Sequence, residues 1–264
     1  MWEKMFVVKL GGSVITDKSK KYFFRKEVTD KLSMEIKKAN KDIILVHGAG
    51  SFGHILAKEY TLNQGYKNDE QLQGFSLTHA MVQKLNSLVL SSLHDNGIAA
   101  VSIPPHVILK LDNHKPVKMD YNVFRNYLDK GFTPVTFGDV TLDEKLGFSI
   151  CSGDLLLQML AEHFKPEKVI FALDEDGLYT SNPKIDKNAE FIEKSTIDEL
   201  ENLTTSSNRY ADVTKGMEGK IETIKNIANL GIDIVLLNGN VDNRLYDTLI
   251  GKKTKHTLIC GENK

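Results

Sequence analysis

Two glycine-rich segments, each directly after a strand-like apolar run, carry the clearest chemistry in this sequence. The first is Lys9-Leu10-Gly11-Gly12-Ser13. Paired glycines let the backbone approach an anion and turn N–H groups toward it, while a lysine at the strand end adds a point charge. The second is His47-Gly48-Ala49-Gly50-Ser51-Phe52-Gly53-His54, with three glycines in six positions at a strand-to-helix junction. Such a junction offers free N–H groups and the positive end of a helix, which suits a phosphate. His54 falls in the first turn of the following helix, where the helix field disfavours imidazolium and a bound phosphate favours it. Neither segment is a Walker A loop or a GxGxxG fingerprint. Taken singly, Gly-Gly after a strand is an ordinary tight turn, and Lys18 reads as a solvated lysine. Two such loops in succession favour a phosphate site.

Three further segments add charge. Gly138-Asp139 is followed by Ser152-Gly153-Asp154, which opens a helix. Asp154 is either a plain carboxylate at a helix N-terminus or a group that orients lysines. Asp174-Glu175-Asp176-Gly177-Leu178-Tyr179 follows the run KVIFAL and precedes Asn182-Pro183-Lys184. Acidic residues and a glycine at a strand end suit a nucleotide ribose or a metal, or form a solvated turn; EF-hand spacing is absent. Last, Asp212-Val213-Thr214-Lys215-Gly216-Met217-Glu218-Gly219-Lys220 starts a helix, with Lys220 a turn or two inside it. Other chemistries lack an anchor: there is no GxSxG elbow, HExxH or CxxC. His79, His94, His106, His114, His163 and His256 share no spacing and read as surface or helix-face residues.

The elements that must position these residues follow from hydrophobic pattern. Strands are expected over Met5–Leu10, Asp42–His47, Ala99–Ile103, Pro134–Val140, Lys168–Leu173 and Ile232–Asn238. Helices are expected over Val28–Ala39, Gly74–Asn96, Tyr121–Lys130, Ser152–Phe164 and Thr214–Leu230, with glycines after several of them. Lys110–Met119 reads as a loop or hairpin, and Asn202–Asn208 as a mobile loop. Continuous apolar strands separated by helices predict an α/β fold with a mostly parallel sheet covered on both faces, and ligands at the carboxyl ends of the strands. Phe75, Thr78, Val82 and Leu85 share a helix face, and Val140 and Ile150 flank the two acidic motifs; core packing explains such apolar positions equally well.

The 264 residues are 41% hydrophobic and carry a net charge of −1. That suffices for one large domain, and it offers no electrostatic argument for nucleic acid or a membrane surface. Only Arg25, Arg125, Arg209 and Arg244 are arginine, so phosphate chemistry must lean on lysine and backbone N–H groups. Two distant cysteines, no signal-peptide layout and no apolar run near the ~20 residues of a membrane span predict a soluble, cytoplasmic protein.

In this order, the motifs resemble the amino acid kinase superfamily and are similar in particular to isopentenyl phosphate kinases. KLGGS, GDV and the DxDG turn mark the superfamily; HGAGSFGH, with Thr16-Asp17-Lys18 and Ser152-Gly153-Asp154, is more specific. Fosfomycin kinases share a related loop ending in histidine, so a kinase for another small phosphate, phosphonate or carboxylate is the competing reading, and a nucleotide-binding sensor a third. The resemblance implies a three-layer α/β/α sandwich in one domain, residues 1–264, with an acceptor lobe of about 1–165 and a nucleotide lobe of about 166–264. It implies ATP and Mg²⁺ as cofactors, no protein-held metal, isopentenyl phosphate as acceptor, and a homodimer.

By the same resemblance, Lys9, Lys18, Lys220, His54 and Asp154 are catalytic, with Asp154 holding Lys9 and Lys220. Lys9, Gly11, Gly12, Ser13, Asp174, Asp176, Gly177, Tyr179, Pro183, Lys184, Asp212, Lys215, Gly216 and Lys220 would bind ATP. Gly48, Ala49, Gly50, Gly53, His54 and Gly153 would surround the acceptor phosphate, and Phe75, Val82, Val140 and Ile150 its apolar tail. The chain departs from the family pattern at Leu173-Asp174-Glu175-Asp176-Gly177, where TDVDG is common, at Lys215, where glycine is common, and at HGAG in place of HGGG. The first two changes fall on the nucleotide side.

Overall fold

Side-chain alternation along the first strand, β1 (Phe6–Leu10), sorts its residues between two cores. Phe6, Val8 and Leu10 pack on one face of the sheet, and Met5 and Val7 on the other. The structure, a computed structural model, describes residues 5–181, 183, 185–200 and 218–261. The remaining strands of the main sheet are β2 (Ile43–His47), β3 (Ala100–Ser102), β6 (Thr133–Phe137), β9 (Lys168–Leu173), β12 (Lys194–Ser195), β13 (Asp233–Asn238) and β14 (Thr257–Ile259). Their order is β12-β14-β13-β9-β1-β2-β6-β3, and every pairing is parallel except β13 with β14.

Helices cover both faces, giving the mixed α/β fold with a mostly parallel sheet that the apolar runs predict. α2 (Lys26–Ala39) and α4 (Glu70–Asp95) supply Leu32, Ile36, Leu85 and Val89 to one core. α7 (Gly153–Phe164) and α8 (Glu218–Ala228) supply Leu156, Leu160, Ile224 and Ile227 to the other. Three shorter helices, α1 (Gly12–Ile15), α3 (Gly50–Glu59) and α9 (Arg244–Leu249), follow β1, β2 and β13. Among the described residues no helix is long and apolar enough to cross a membrane. Cys151 and Cys260 are both free.

Two boundaries differ from the sequence expectation, each at a glycine. The expected strand Pro134–Val140 is two strands: β6 stays in the main sheet, and β7 (Asp139–Asp143) enters a second, four-stranded sheet. At the break, the Gly138 N–H donates to the His47 carbonyl at 3.0 Å, and a Cβ there would lie 2.9 Å from the Gly153 nitrogen. Close backbone approach, not sheet pairing, fixes that position. Likewise α4 begins at Glu70 rather than Gly74, because Gly74 does not start the helix: it lets the Tyr60 ring pack on it, where a Cβ would meet that ring at 2.2 Å. The part of the last expected helix before Glu218, and the loop Asn202–Asn208, lie outside the described residues.

The second sheet is the part least legible in the sequence. The segment Lys110–Met119 forms the hairpin of β4 (Leu109–Asp112) and β5 (Lys115–Met119), turning through Asn113 and His114 at φ 50° and 68°. Two residues at positive φ match the twist of a hairpin, and asparagine tolerates that region. β7 pairs with β8 (Gly147–Cys151). One carboxylate ties the two hairpins together. Asp143 is buried and accepts from the backbone N–H groups of Asn113 and His114, each at 2.8 Å, from Leu146 at 3.0 Å, and from the Ser149 hydroxyl at 2.9 Å. Burial opposes its ionisation, but the backbone donors prevail and bring its pKa to about 2.

A carboxylate lowered from an ordinary ~3.9 to this value contributes stability of about 2–3 kcal/mol. Because the folded pKa is the lower one, that stability is present above about pH 4 and is lost as pH falls through about 2. Asp143→Asn is expected to cost about 2 kcal/mol at pH 7 and to flatten the fall in stability between about pH 4 and 2. Urea unfolding across that range checks it; an asparagine variant with the wild-type acid dependence would remove Asp143 from this role.

Candidate functional site

The register of the sheet gathers the loops that the sequence marks. Leu10 of β1 lies level with His47 of β2 and Ala172 of β9, so the segments that follow these strands leave the same edge side by side. Beyond that edge is a cavity of about 800 Å³. Its position is the one expected for an open parallel sheet, at the carboxyl ends of the strands.

Lys9 occupies the last inward-facing position of β1 on the α7 side, two residues past Val7. Its buried ammonium group meets Asp154 in the first turn of α7, bonding Oδ1. The other oxygen, Oδ2, lies 3.8 Å from the Lys220 ammonium on α8. α7 starts where it does because the Ser152 hydroxyl caps it, accepting from the Leu155 N–H at 3.0 Å. Gly153 fits the turn against β2, since a Cβ there would stand 3.2 Å from the His47 carbonyl oxygen. One carboxylate therefore holds two lysines on the cavity wall. Burial brings the pKa of Lys9 down to about 8, with Asp154 opposing that fall and Lys220 adding to it. For Asp154, burial disfavours the charge, but Lys9 and Lys220 together outweigh it and keep the carboxyl below its ordinary range.

The two glycine loops touch. A Cβ on Gly12 would lie 2.7 Å from the Gly50 nitrogen, and one on Gly48 would lie 2.7 Å from the Gly12 nitrogen. Backbone atoms meet at both places, so no side chain of any size fits. Thr16 rivets the contact: its hydroxyl donates to the Gly12 carbonyl at 2.6 Å and accepts from the Ser51 N–H at 3.0 Å. Gly50 has φ 51°, and a Cβ would strike that hydroxyl. Arg25 braces the first loop from outside by donating to the Val14 carbonyl at 3.1 Å and to the Asn240 side chain at 2.8 Å. Gly53 is tight for a different reason: it lets α3 pass Val82 of α4.

The two histidines of the second loop have opposite environments. His47 is buried, stacked on Phe137 and near Asn86, and burial brings its pKa to about 4, so it is neutral. His54 has an exposed ring on the cavity. The protein mass around that cavity pushes its pKa below the ordinary value, and Lys18 and Lys9 push the same way. His54 is thus neutral at pH 7 while the cavity holds no anion.

Lys9, Gly11, Gly12, Ser13, Lys18, Gly48, Ala49, Gly50, Gly53, His54, Val82, Val140, Ile150, Gly153, Asp154, Asp174, Gly177, Tyr179, Pro183 and Lys220 all line this cavity. Two residues singled out in the sequence do not. Phe75 packs on Phe148, with ring centroids 5.2 Å apart, in the small cluster beneath the second sheet. The Asp176 carboxylate accepts from Arg244 at 2.6 Å, Lys255 at 2.7 Å and Asn238 at 3.2 Å, so it braces the strand ends from behind. Lys184, Asp212, Lys215 and Gly216 lie outside the described residues. Asp174 lies beside the first loop, accepting from the Ser13 hydroxyl at 2.8 Å. Gly177, at φ 155°, leaves room for Thr257, whose hydroxyl accepts from the Leu178 N–H at 2.8 Å.

Sequence reasoning missed several cavity residues. Ala57, Phe171, Leu200 and Ile221 reach the wall from four elements and carry no local motif. It also dispersed His79 and His106, whose ring nitrogens both approach Asp139.

The profile of the amino acid kinase family matches residues 4–238. The isopentenyl phosphate kinase of Methanothermobacter thermautotrophicus is 37% identical over 98% of this chain and 100% of its own length. That of Thermoplasma acidophilum is 33% identical over 95% and 97%. A crystal structure of isopentenyl phosphate kinase superposes with a TM-score of 0.85 at 34% identity, covering 97% of this chain and 99% of the other. The chain belongs to the amino acid kinase family, and within it to the isopentenyl phosphate kinases.

Proposed function

We propose that this kinase transfers the γ-phosphoryl group of ATP to isopentenyl phosphate, giving ADP and isopentenyl diphosphate. The observation that carries the reading is one cavity with a cationic centre and an apolar end, in a chain that matches isopentenyl phosphate kinases from end to end. Residues of about 1–165 would bind the acceptor, and those of about 166–264 the nucleotide. Assembly as a homodimer belongs to the same reading, tested by molar mass in solution.

Phosphoryl transfer passes through a loose transition state, so the protein acts by positioning and charge stabilisation. A phosphomonoester, with a second pKa near ~6, is mostly dianionic at pH 7 and needs no general base. The difficulty is bringing two anions together. Lys9, Lys220 and Lys18 supply fixed charge, and the amides of the facing glycine loops supply donors on both sides of the transfer path. His54 meets the acceptor phosphate; the dianion raises its pKa, and the ring becomes a charge-assisted donor. Asp154 keeps Lys9 and Lys220 aimed at the transferring group. Ser13, Asp174, Gly177, Tyr179 and Pro183 form the nucleotide side. The donor set suits Mg²⁺ carried on the ATP phosphates, which needs few protein ligands. On the nucleotide side, Asp174 and Glu175 are the carboxylates that would meet it, while both oxygens of Asp154 face lysines. Such an ion screens the phosphate charge. Val82, Val140 and Ile150 take the acceptor's tail, and an apolar end of this kind disfavours a small polar acceptor.

ADP release measured with isopentenyl phosphate, isopentenol and fosfomycin tests the reading, with isopentenyl phosphate preferred. His54→Ala is expected to lower kcat/KM about 100-fold, the loss typical for one charge-stabilising donor, and His54→Gln to lose less. No turnover of isopentenyl phosphate by the wild type would end the proposal; wild-type turnover in the alanine variant would end the role of His54.

The pH profile tests the lysine pair. kcat/KM reports groups of the free enzyme, so it should fall above about pH 8 as Lys9 loses its proton. Asp154 raises that pKa, so Asp154→Asn should both slow turnover and move the falling limb to lower pH. A slowed variant with an unmoved limb would make Asp154 a helix-start carboxylate without influence on Lys9.

Chain length tests the apolar end. A methylene in an apolar pocket is worth only about 1 kcal/mol, so rejection of longer prenyl phosphates must come from walls. Val82→Ala and Ile150→Ala should each raise kcat/KM for geranyl phosphate relative to isopentenyl phosphate several-fold, with the KM for ATP unchanged. An unchanged ratio would make both residues ordinary core.

A further inference from the structure

Beside the acceptor end of the cavity, three side chains from three elements converge: His79 of α4, His106 of the short helix α5 (Pro105–Ile108) and Asp139 of β7. Among the described residues they form a group of potential metal ligands whose donor atoms all lie within 4.8 Å of one another. Both histidines present Nδ1 to the same carboxylate oxygen, Asp139 Oδ2, at 2.8 Å and 3.8 Å. Their rings stand nearly perpendicular, at 81°, with centroids 4.4 Å apart. The other oxygen of Asp139 is occupied, accepting from the Val140 N–H at 2.8 Å.

We infer that His79, His106 and Asp139 form a binding site for a divalent transition-metal ion of the zinc class, at the wall of the same cavity but away from the lysine pair. Tetrahedral zinc holds nitrogen and carboxylate oxygen at about 2.0–2.1 Å, which sets neighbouring ligand atoms roughly 3.3 Å apart. The two nitrogen-to-oxygen distances bracket that spacing, and the three donor atoms, all within 4.8 Å of one another, would draw together by up to about 1.5 Å around an ion. Two imidazoles and one carboxylate suit zinc and its neighbours rather than Mg²⁺ or Ca²⁺, which take oxygen. The environment fits as well. The Asp139 side chain is 0% exposed and the two histidines are 28% and 31% exposed, so the anion lies behind and the neutral ligands face solvent. That leaves an entry path and a fourth position for water. The backbone donor on the distant carboxylate oxygen supplies the orienting hydrogen bond that metal ligands need. A bound ion would pin α4 to β7, which carry Val82 and Val140 on the cavity wall.

The test uses tag-free protein without nucleotide, titrated with Zn²⁺ by calorimetry and with Co²⁺ by visible absorption. The wild type should bind one equivalent and give the intense d–d absorption of a tetrahedral site. A hundredfold excess over Kd should raise Tm by roughly 5 °C. His79→Gln and His106→Gln should each lose the stoichiometric site and the Tm rise, while His114→Gln, on the β4–β5 turn at the other end of β7, keeps both. Circular dichroism of the metal-free variants secures the comparison, and His106, on the more open side, can be replaced without disturbing the core. No stoichiometric binding by the wild type, or binding that survives loss of both histidines, would overturn the site and leave a hydrogen-bonded His–Asp cluster.

Discussion

The site depends on one carboxylate placed between two lysines. Lys9 lies near the end of a central strand and Lys220 on a helix of the opposite half of the chain; among the described residues Asp154 gives them a common point. Burying three charges is costly unless they are paired and hydrogen-bonded. Here one carboxylate serves two ammonium groups, so the cluster keeps an uncompensated positive charge toward the cavity. Neutral replacements would be easier to bury, but they would not attract phosphate. The low pKa of Lys9 records the same tension: burial works against the charge, and Asp154 sustains it. The cluster explains the start of α7, because the Ser152 cap sets the turn that aims Asp154.

A second constraint, the contact between the glycine loops, is steric. Lys9 can face both a nucleotide and an acceptor only if the loops after β1 and β2 leave the sheet side by side with no side chain between them. Gly12, Gly48 and Gly50 meet backbone to backbone, and Thr16 bonds both loops. The parallel register supplies the alignment, and the glycines the clearance. Arg25 and Asp176 hold the same ends from outside through Asn240 and Asn238, so the rim is braced by groups that do not reach the cavity.

What the sequence revealed divides along this line between local and distant. Strand ends, glycine loops and the Ser152 cap are local patterns, and each could be found from residue types within a few positions. The parallel sheet follows from apolar runs and their spacing. The second sheet did not show itself, because its strands alternate weakly and its order rests on Asp143 collecting donors from two hairpins. Gly138 and Gly74 misled in the same way: each was read as part of an element's pattern, and each is a place where other atoms come too close for a Cβ. Phe75 shares a helix face with Val82, yet it packs on Phe148 in a cluster that meets the cavity through Ala57, Val140 and Ile150. The approach of His79 and His106 to Asp139 spans three elements and has no sequence periodicity at all.

The electrostatic design follows from these placements. Without ligand, the cavity holds His54 neutral, because protein mass and the charges of Lys18 and Lys9 disfavour imidazolium. Lys9 is charged at neutral pH but with little margin. A dianionic phosphate reverses both effects: its charge favours the protonated forms, and it takes over the solvation that burial removed. In the proposed reaction, charge would therefore become complete as the acceptor arrives, not before. A charged histidine beside Lys9 and Lys18 would add repulsion to every folded molecule with an empty cavity. In the proposed reaction the substrate's own charge would protonate His54 and secure Lys9, so the cavity would reach full complementarity only around the transferring phosphoryl group and would not have to hold that charge when empty.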